Sequence, residues 1–148
     1  TQHNPFNAVY ETKRRSVYLM QQRLKENPYL ATFDGADPSS STAVRLPSTT
    51  PLQALFLMND PFAHQTASKL AARVIAGRLD EAARLEFAYQ LTLSRALSGD
   101  EFSECSEFLE KYRAKLLARG IAAPQAEVEA WSALCRVLLG SNEFAFID

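Results

Sequence analysis

Residues 48–62 of this 148-residue chain read STTPLQALFLMNDPF, and they contain two helix starts in succession. Thr50 can cap a helix, the proline after it suits the first helical position, and Gln53 can reach back to the N–H of the cap. Asp60 and the proline after it repeat the device two turns later. The stretch therefore predicts a short helix that ends at Met58, a sharp corner, and a second helix beyond the corner.

Along most of the chain, apolar residues recur at steps of three and four, which is typical of amphipathic helices. Proline, glycine and capping residues mark where the helices begin and end. The predicted helices run from Tyr10 to Lys25, from Pro51 to Met58, from Pro61 to Ala76, from Asp80 onward, from Ser98 to Gly120, and from Pro124 onward. No useful alternating strand pattern is present. The sequence predicts an all-α fold, a compact bundle of about five to six helices.

Residues 32–49 (TFDGADPSSSTAVRLPST) differ from this pattern, because they are rich in Ser, Thr, Pro, Asp and Gly. Such composition predicts one long irregular loop near the N-terminal third of the chain. The length is that of one ordinary domain, so residues 1–148 are expected to form a single helical domain. The chain starts at Thr1 with neither an initiator Met nor a signal peptide, which favours an excised piece of a larger protein.

The predicted core is formed by the apolar stripes of the last four long helices. The expected inward-facing residues are Phe62, Ala67, Leu70, Ala71 and Val74; Leu85, Ala88, Tyr89 and Thr92; Phe102, Cys105, Leu109, Tyr112 and Leu116; and Val128, Trp131, Leu134, Cys135 and Leu138. The apolar face around Leu85 is wide, which predicts a central position in the bundle for the helix that begins at Asp80.

The charge balance narrows the range of partners. Sixteen basic and seventeen acidic residues give a formal net charge of -1. Nucleic-acid binding normally requires a basic excess, so no nucleic-acid partner is expected. The longest apolar run, Leu52 to Met58, is too short for a membrane span. Only two histidines, His3 and His64, are present, and no cysteine spacing suggests zinc or haem, so neither metal nor cofactor is expected.

The last two long helices are predicted to be antiparallel, which brings the two cysteines to a similar height along the helix axes. Cys105 lies fifteen residues before Gly120 and Cys135 fifteen after it, on helices expected to be antiparallel. Two interpretations follow. Each cysteine can be a small buried apolar residue, or the two can form a disulfide.

The candidate contact residues are Arg14, Arg15, Asp34 and Asp37. The two arginines belong to an early basic cluster, which is a candidate docking point for an acidic ligand or for carboxylates of a partner domain. A solvated helix face, or ion pairs with the two loop aspartates, is the simpler interpretation. The aspartates could together with Asp60 hold a calcium ion, but an Asx turn at Gly35 accounts for Asp34 and a helix cap for Asp60 without one.

A pairing of His64 with Asp60, four residues apart, would resemble a general base oriented by a carboxylate. An ordinary solvated pair in the first turn of a helix gives the same spacing, and no serine or cysteine completes a nucleophilic set. No catalytic residue is therefore predicted.

The order of several segments resembles that of a known family. These segments are KRRSVYLM (13–20), TFDGAD (32–37), STTPLQALFLMNDPF (48–62), AYQLTLSR (88–95) and WSALCRVLLGSNEFAFID (131–148). They are similar to the C-terminal part of the planctomycete family called domain of unknown function fifteen-fifty-three. The loop after Phe33 departs from the family pattern, because it lacks the cysteine and paired arginines of relatives.

The resemblance implies a large exported or periplasmic parent protein, whose other domains, including a cytochrome c module, would be partners. That compartment would favour the disulfide. The family carries no known activity, so no catalytic role transfers. Two hypotheses remain: a non-catalytic structural or interaction module of a large exported protein, or part of an active site completed elsewhere in the parent, in a polymer-degrading or redox-linked enzyme.

Overall fold

A computed structural model describes residues 15–19, 21, 27–37, 39–41, 43, 50–77 and 80–145. It contains a 3-10 helix at Ser16–Tyr18 and the α-helices α1 (Pro28–Thr32), α2 (Pro51–Asn59), α3 (Pro61–Ala76), α4 (Glu81–Leu93), α5 (Gly99–Ala118), α6 (Ala123–Leu139) and α7 (Asn142–Ala145). No strand occurs in these ranges. The predicted all-α class is confirmed. The chain divides into two compact units, Thr1–Gln53 and Ala54–Asp148, with the boundary inside α2.

In the first unit, Asn27 and Pro28, just beyond the end of the helix predicted from Tyr10 to Lys25, begin a new helix. The side chain of Asn27 caps α1 by accepting a hydrogen bond from the N–H of Tyr29, and Pro28 takes the first helical position. The helix ends in a Schellman motif, in which the N–H of Gly35 donates to the carbonyl of Leu30 across the left-handed residue Asp34 (φ 54°). A Cβ at position 35 would lie 2.6 Å from that of Leu30, so glycine is required there.

The helix predicted from Tyr10 to Lys25 is not found in the part of it that the structure describes. Ser16–Tyr18 forms one 3-10 turn, and the flanking residues Arg15 and Leu19 have extended backbones. Val17, in the middle of the predicted helix, is 79% exposed. A helix of that length depends mainly on burial of an apolar face, to which this side chain contributes little.

The second unit has one hydrophobic core, which α3, α4, α5 and α6 build together. Helix α6 packs against α3, α4, α5 and α7, and it supplies the fully buried Trp131. The remaining buried core residues are Ala67, Ala71, Val74, Leu85, Ala88, Tyr89, Cys105, Leu109, Ala130, Leu134, Cys135 and Leu138. Small residues allow α3 and α6 to approach closely, and the hydroxyls of Ser68 and Ser132 lie 2.9 Å apart across them.

The predicted helix starts are confirmed at Thr50, Asp60, Asp80 and Ser98. Asp60 and Asp80 accept hydrogen bonds from the backbone at the start of α3 and α4. Ser98 and Glu101 form a reciprocal capping box at the start of α5. Each cap satisfies backbone donors that would otherwise lack a partner in the first turn.

Three of the predicted core residues are exposed: Phe62, Phe102 and Val128, at 62%, 37% and 46%. Each lies near the beginning of its helix, within the first six residues. Helical periodicity places them on the inward stripe, but it does not determine whether another helix covers each position. The central part of each stripe is buried as predicted.

Candidate interaction surface

Helix α2 is the least buried apolar element that the structure describes in the stretch from Pro51 onward. Its nine residues include six apolar ones and no charged one, yet none is buried. Leu55 and Met58 are 52% and 64% exposed. Because they are three residues apart, they lie on the same side of the helix. A helix that is apolar on all sides is normally buried in a core, so this exposure requires an explanation.

Beyond α2, one more large apolar side chain is exposed, at the start of α3. Phe62, the second residue of α3, is 62% exposed. Leu55, Met58 and Phe62, all in the second unit, are called the α2–α3 apolar surface below. Three large exposed apolar side chains within residues 55–62 are typical of a contact surface, whereas single exposed apolar residues need no explanation.

The corner between α2 and α3 is fixed by two side chains. The carboxylate of Asp60 accepts a hydrogen bond from the N–H of Phe62 at 2.8 Å, and the backbone of Asp60 is extended. The amide of Asn59 donates to the carbonyl of Leu55 at 3.1 Å. These contacts satisfy backbone groups at the end of α2 and the start of α3, so one residue suffices to turn the chain.

The histidine that follows the corner has a structural role that the sequence did not reveal. Nδ1 of His64 lies 2.9 Å from a guanidinium nitrogen of Arg136, and Nε2 lies 3.0 Å from the carbonyl oxygen of Met58. A guanidinium can only donate, so Nδ1 accepts, and Nε2 carries the proton and donates to the carbonyl. The ring therefore connects α6 to the end of α2, and the predicted alternative of a dyad with Asp60 is not formed.

A polar network joins three of the core helices of the second unit. Glu127 of α6 accepts hydrogen bonds from Arg84 of α4, Arg113 of α5 and the indole of Trp131, at 2.6–3.0 Å for the nearest pairs. Burial raises the pKa of Glu127, but the hydrogen bonds from Arg113 and Trp131 outweigh it and hold that pKa below its ordinary value. Arg113 also donates to Glu81 at 2.8 Å. These charges stabilise helix packing.

A second network surrounds Arg95, which follows α4. Its guanidinium donates to Glu101 at 2.6 Å and to Glu143 at 2.6 Å, and it lies 5.3 Å from the ring centroid of Tyr89. The hydrogen bond from Arg95, followed by that from the N–H of Ser98, lowers the pKa of Glu101 to about 2. Arg95 thus links the start of α5 to α7 through charge-assisted bonds.

Of the predicted contact residues, Arg14 lies outside the described residues, and Arg15 is exposed. The described part of the chain contains no ion pair between Arg15 and either loop aspartate. Asp37 caps a local turn: its two carboxylate oxygens accept from the N–H of Ser39 and the hydroxyl of Ser40. The hydrogen bond from the N–H of Ser39, followed by that from Ser40, lowers the pKa of Asp37. This turn-forming role is the one that composition predicts for such an aspartate.

The side chain of Asp34 has a partner that was not predicted. Nε2 of Gln53 donates to the carbonyl of Thr32 at 3.0 Å and to the carboxylate of Asp34 at 3.3 Å. The amide oxygen Oε1 of Gln53 accepts a hydrogen bond from the N–H of Thr50, as predicted for the capping box. One glutamine therefore ties the end of α1 to the start of α2 within the first unit. No sequence signal marks a contact over nineteen residues.

The two cysteines are free and buried, so the disulfide that the sequence left open is not formed here. Burial raises the pKa of Cys105, and burial raises that of Cys135 to about 12. The hydroxyl of Tyr89 lies 3.6 Å from the sulfur of Cys105. Buried thiols of this kind behave as small apolar residues and are poor nucleophiles.

Within the described ranges, no group of three or more His, Cys, Asp or Glu side chains could hold a metal ion. None of the helices described is both long enough and apolar enough to cross a membrane.

Fold and surface together define a helical protein in which ion pairs link core helices of the second unit and large apolar side chains are exposed on α2 and at the start of α3. A protein-family model matches residues 2–109 of the chain. The family, PSD1, is described as a protein of unknown function (DUF1553). The match covers more than half of the chain, so the chain belongs to this family, and the predicted resemblance is confirmed. Comparisons with curated proteins and with solved structures gave no match.

Proposed function

We propose that this chain is a non-catalytic interaction module that docks other domains of a larger parent protein through the α2–α3 apolar surface. The observation that carries the proposal is the exposure of Leu55, Met58 and Phe62, at 52%, 64% and 62%, in a segment with six apolar residues in one nine-residue helix. Exposed apolar side chains in a cluster gain free energy when a partner removes them from water.

The internal contacts of the second unit support an interaction role. Its arginines at 84, 95 and 113 form ion pairs between elements, and His64 is held by two partners. Catalysis requires titratable groups that converge on a space open to substrate, whereas these groups are directed at one another. The alternative, part of an active site completed by other domains, is retained as an outcome of the experiment below.

The family resemblance supplies the setting of the proposal. An exported or periplasmic location, and a cytochrome c module among the neighbouring domains, are proposals that rest on the resemblance alone. Docking between domains of one parent chain requires only moderate affinity, because linkage raises the effective concentration of the partner.

The experiment is a titration of this chain with the remainder of the full-length polypeptide, produced separately, by isothermal calorimetry. Wild type is expected to bind with a negative heat-capacity change, the mark of apolar burial. Met58→Glu and Phe62→Glu are each expected to weaken binding at least about tenfold, since they place a charge in a desolvated contact. Circular dichroism checks that both variants retain the wild-type helix content.

The matched control is Leu117→Glu, because Leu117 is 49% exposed and lies on α5, whereas α3 packs mainly against α6 and α4. This variant should bind within about twofold of wild type. Absence of binding by wild type, or equal loss in all three variants, would contradict the proposal. Appearance of a hydrolytic or redox activity only in the recombined protein, unaffected by Met58→Glu, would favour the active-site alternative.

A further inference from the structure

We infer that the partner surface contacted by the α2–α3 apolar surface is acidic, because a row of unpaired cations extends from Phe62 along the outer face of α3. The row consists of Lys69 and Arg73, and it is called the basic row below. This inference rests on the proposed function and specifies the chemistry of the partner at the same site.

Helix geometry places the three side chains in line. At about 100° per residue, Lys69 and Arg73 lie within about 20° of Phe62 around the axis of α3, on opposite sides of it. All three are exposed. The buried residues of this helix, Ala67, Ala71 and Val74, occupy the opposite side. The outer face of α3 therefore presents an aromatic ring followed by two positive charges.

Among the described residues, no carboxylate forms an ion pair with the basic row. The sequence from Pro61 to Gly77 contains no acidic residue. The guanidinium carbon of Arg73 lies 6.0 Å from the ring centroid of Phe87. A guanidinium above a ring keeps its N–H groups available at the edges.

The spacing of the two cations costs stability in the isolated unit. Lys69 and Arg73 are four residues apart, so they are neighbours on the helix surface and repel each other. Arg73 lies in the last turn of α3, where the helix dipole favours a cation, but Lys69 lies near the middle, beyond the reach of that effect. An anionic partner would relieve the repulsion.

The rest of the second unit has the opposite charge. Residues 80–145 carry eleven acidic and seven basic side chains, and four of the basic ones form ion pairs. The basic row is thus a local exception on an acidic unit. The general acidity disfavours a polyanion such as nucleic acid or an anionic lipid surface, both of which would contact a wide area. A compact acidic patch on a protein fits a short row.

The partner surface has a defined pattern. It should offer an apolar recess for Phe62 and carboxylates about 10 Å further along, since seven residues of helix span that distance. Carboxylates at that position would bind Lys69 and Arg73, which are about 6 Å apart.

The test uses the remainder of the full-length polypeptide as probe, with a double charge reversal of the basic row, Lys69→Glu with Arg73→Glu. The control is Lys115→Glu with Arg119→Glu, an equally spaced pair of exposed cations at the end of α5. At about 50 mM NaCl the first variant should bind at least about tenfold more weakly than wild type, and the control within about twofold. At about 500 mM NaCl the difference should shrink to less than about threefold, because salt screens exposed charges.

The outcomes separate this inference from the proposed function. Loss of binding in Met58→Glu without loss in the double reversal would overturn the acidic partner and leave the docking surface intact. Equal loss in the double reversal and its control would show an effect of net charge alone, which also overturns the inference. Failure of wild type to bind overturns both. Sedimentation of wild type with phosphatidylserine vesicles that requires Lys69 and Arg73 would replace the acidic protein by an anionic lipid surface.

Discussion

Helices α2 and α6 are both rich in apolar residues, and their environments are opposite. Of the seventeen residues of α6 seven are buried, among them Trp131 at 0% exposure. None of the nine residues of α2 is buried. Composition alone would have assigned α2 to a core at least as readily as α6, because α2 carries no charge.

The burial of an apolar helix therefore depends on which neighbouring helices cover it. Helix α6 packs against four other helices, α3, α4, α5 and α7, and these neighbours cover its apolar residues. Helix α2 keeps the apolar residues but lacks such cover in the second unit. Apolar side chains that the fold leaves exposed are available to a partner, and those that it buries stabilise the fold. Four experiments test this division, in decreasing order of expected effect.

The largest effect is expected for Trp131→Ala in α6. The indole is fully buried and its N–H donates to Glu127 at 2.9 Å, so truncation creates a cavity and leaves a carboxylate short of a donor. We expect a loss of about 3–5 kcal/mol in the free energy of unfolding, measured by urea denaturation. A loss below about 1 kcal/mol would show that α6 is not the centre of the core.

A smaller effect is expected for Gly120→Ala, at the connection that brings α6 back onto α5. Gly120 has φ +81°, and the N–H of Ile121 donates to the carbonyl of Leu116 in a Schellman motif. An alanine there should cost about 1–2 kcal/mol, because Cβ disfavours left-handed backbone. Gly99→Ala is the matched control, since nothing lies within 4 Å of an added Cβ and φ is not positive there. Equal effects of the two substitutions would contradict the explanation.

The pH dependence of stability tests the network that Arg95 forms. Hydrogen bonds from Arg95 and then Ser98 lower the pKa of Glu101 to about 2, from an ordinary value of 4.5. A depressed pKa in the folded state stabilises the fold above pH 4.5, and this contribution disappears as the pH falls towards 2. Glu101→Gln should therefore lower the melting temperature at pH 6 by less than about 5 °C, because the pair is partly exposed, and the deficit should vanish near pH 2.

The control for this measurement is Glu110→Gln, which removes an exposed carboxylate from the same helix. It should leave the pH profile of the melting temperature close to that of wild type. A deficit of Glu101→Gln that persists unchanged at pH 2 would assign the effect to helix capping by the side chain and not to its charge.

The smallest effect on stability is expected for Met58→Ser in α2. Met58 is 64% exposed, so its truncation should change the free energy of unfolding by no more than about 0.5 kcal/mol. The same change should weaken binding to the partner, because it removes apolar contact area. A stability loss comparable to that of a core residue would mean that α2 is buried by its own chain in solution.

Most of the fold could be predicted from local signals. The caps at Thr50, Asp60, Asp80 and Ser98 and the stop at Gly120 depend on residues within three or four positions of one another, so the sequence displays them directly. The core stripes followed from helical periodicity in the same way. At Asn27, by contrast, one dipeptide can end a helix or begin one, and only the structure distinguishes these roles.

The features that were missed depend on neighbours distant in sequence. The exposure of Phe62, Phe102 and Val128 reflects where each helix start lies relative to other helices. The contacts of Gln53 with Asp34 and of His64 with Arg136 span nineteen and seventy-two residues. The candidate surface itself was hidden for the same reason, because the spacing that predicts an apolar stripe is unchanged whether or not another helix covers it.

The single-residue corner at Asp60 has a consequence for the kinetics of association. The ring of Pro61 fixes one backbone torsion, the carboxylate of Asp60 fixes the entry to α3, and His64 holds the last turn of α2 through the carbonyl of Met58. An encounter complex would then need little rearrangement of the corner before contacts form, and association without a conformational change is faster than association that requires one. Association should be rapid and single-phased, and Asp60→Ala should slow the on-rate while leaving the contact residues unchanged.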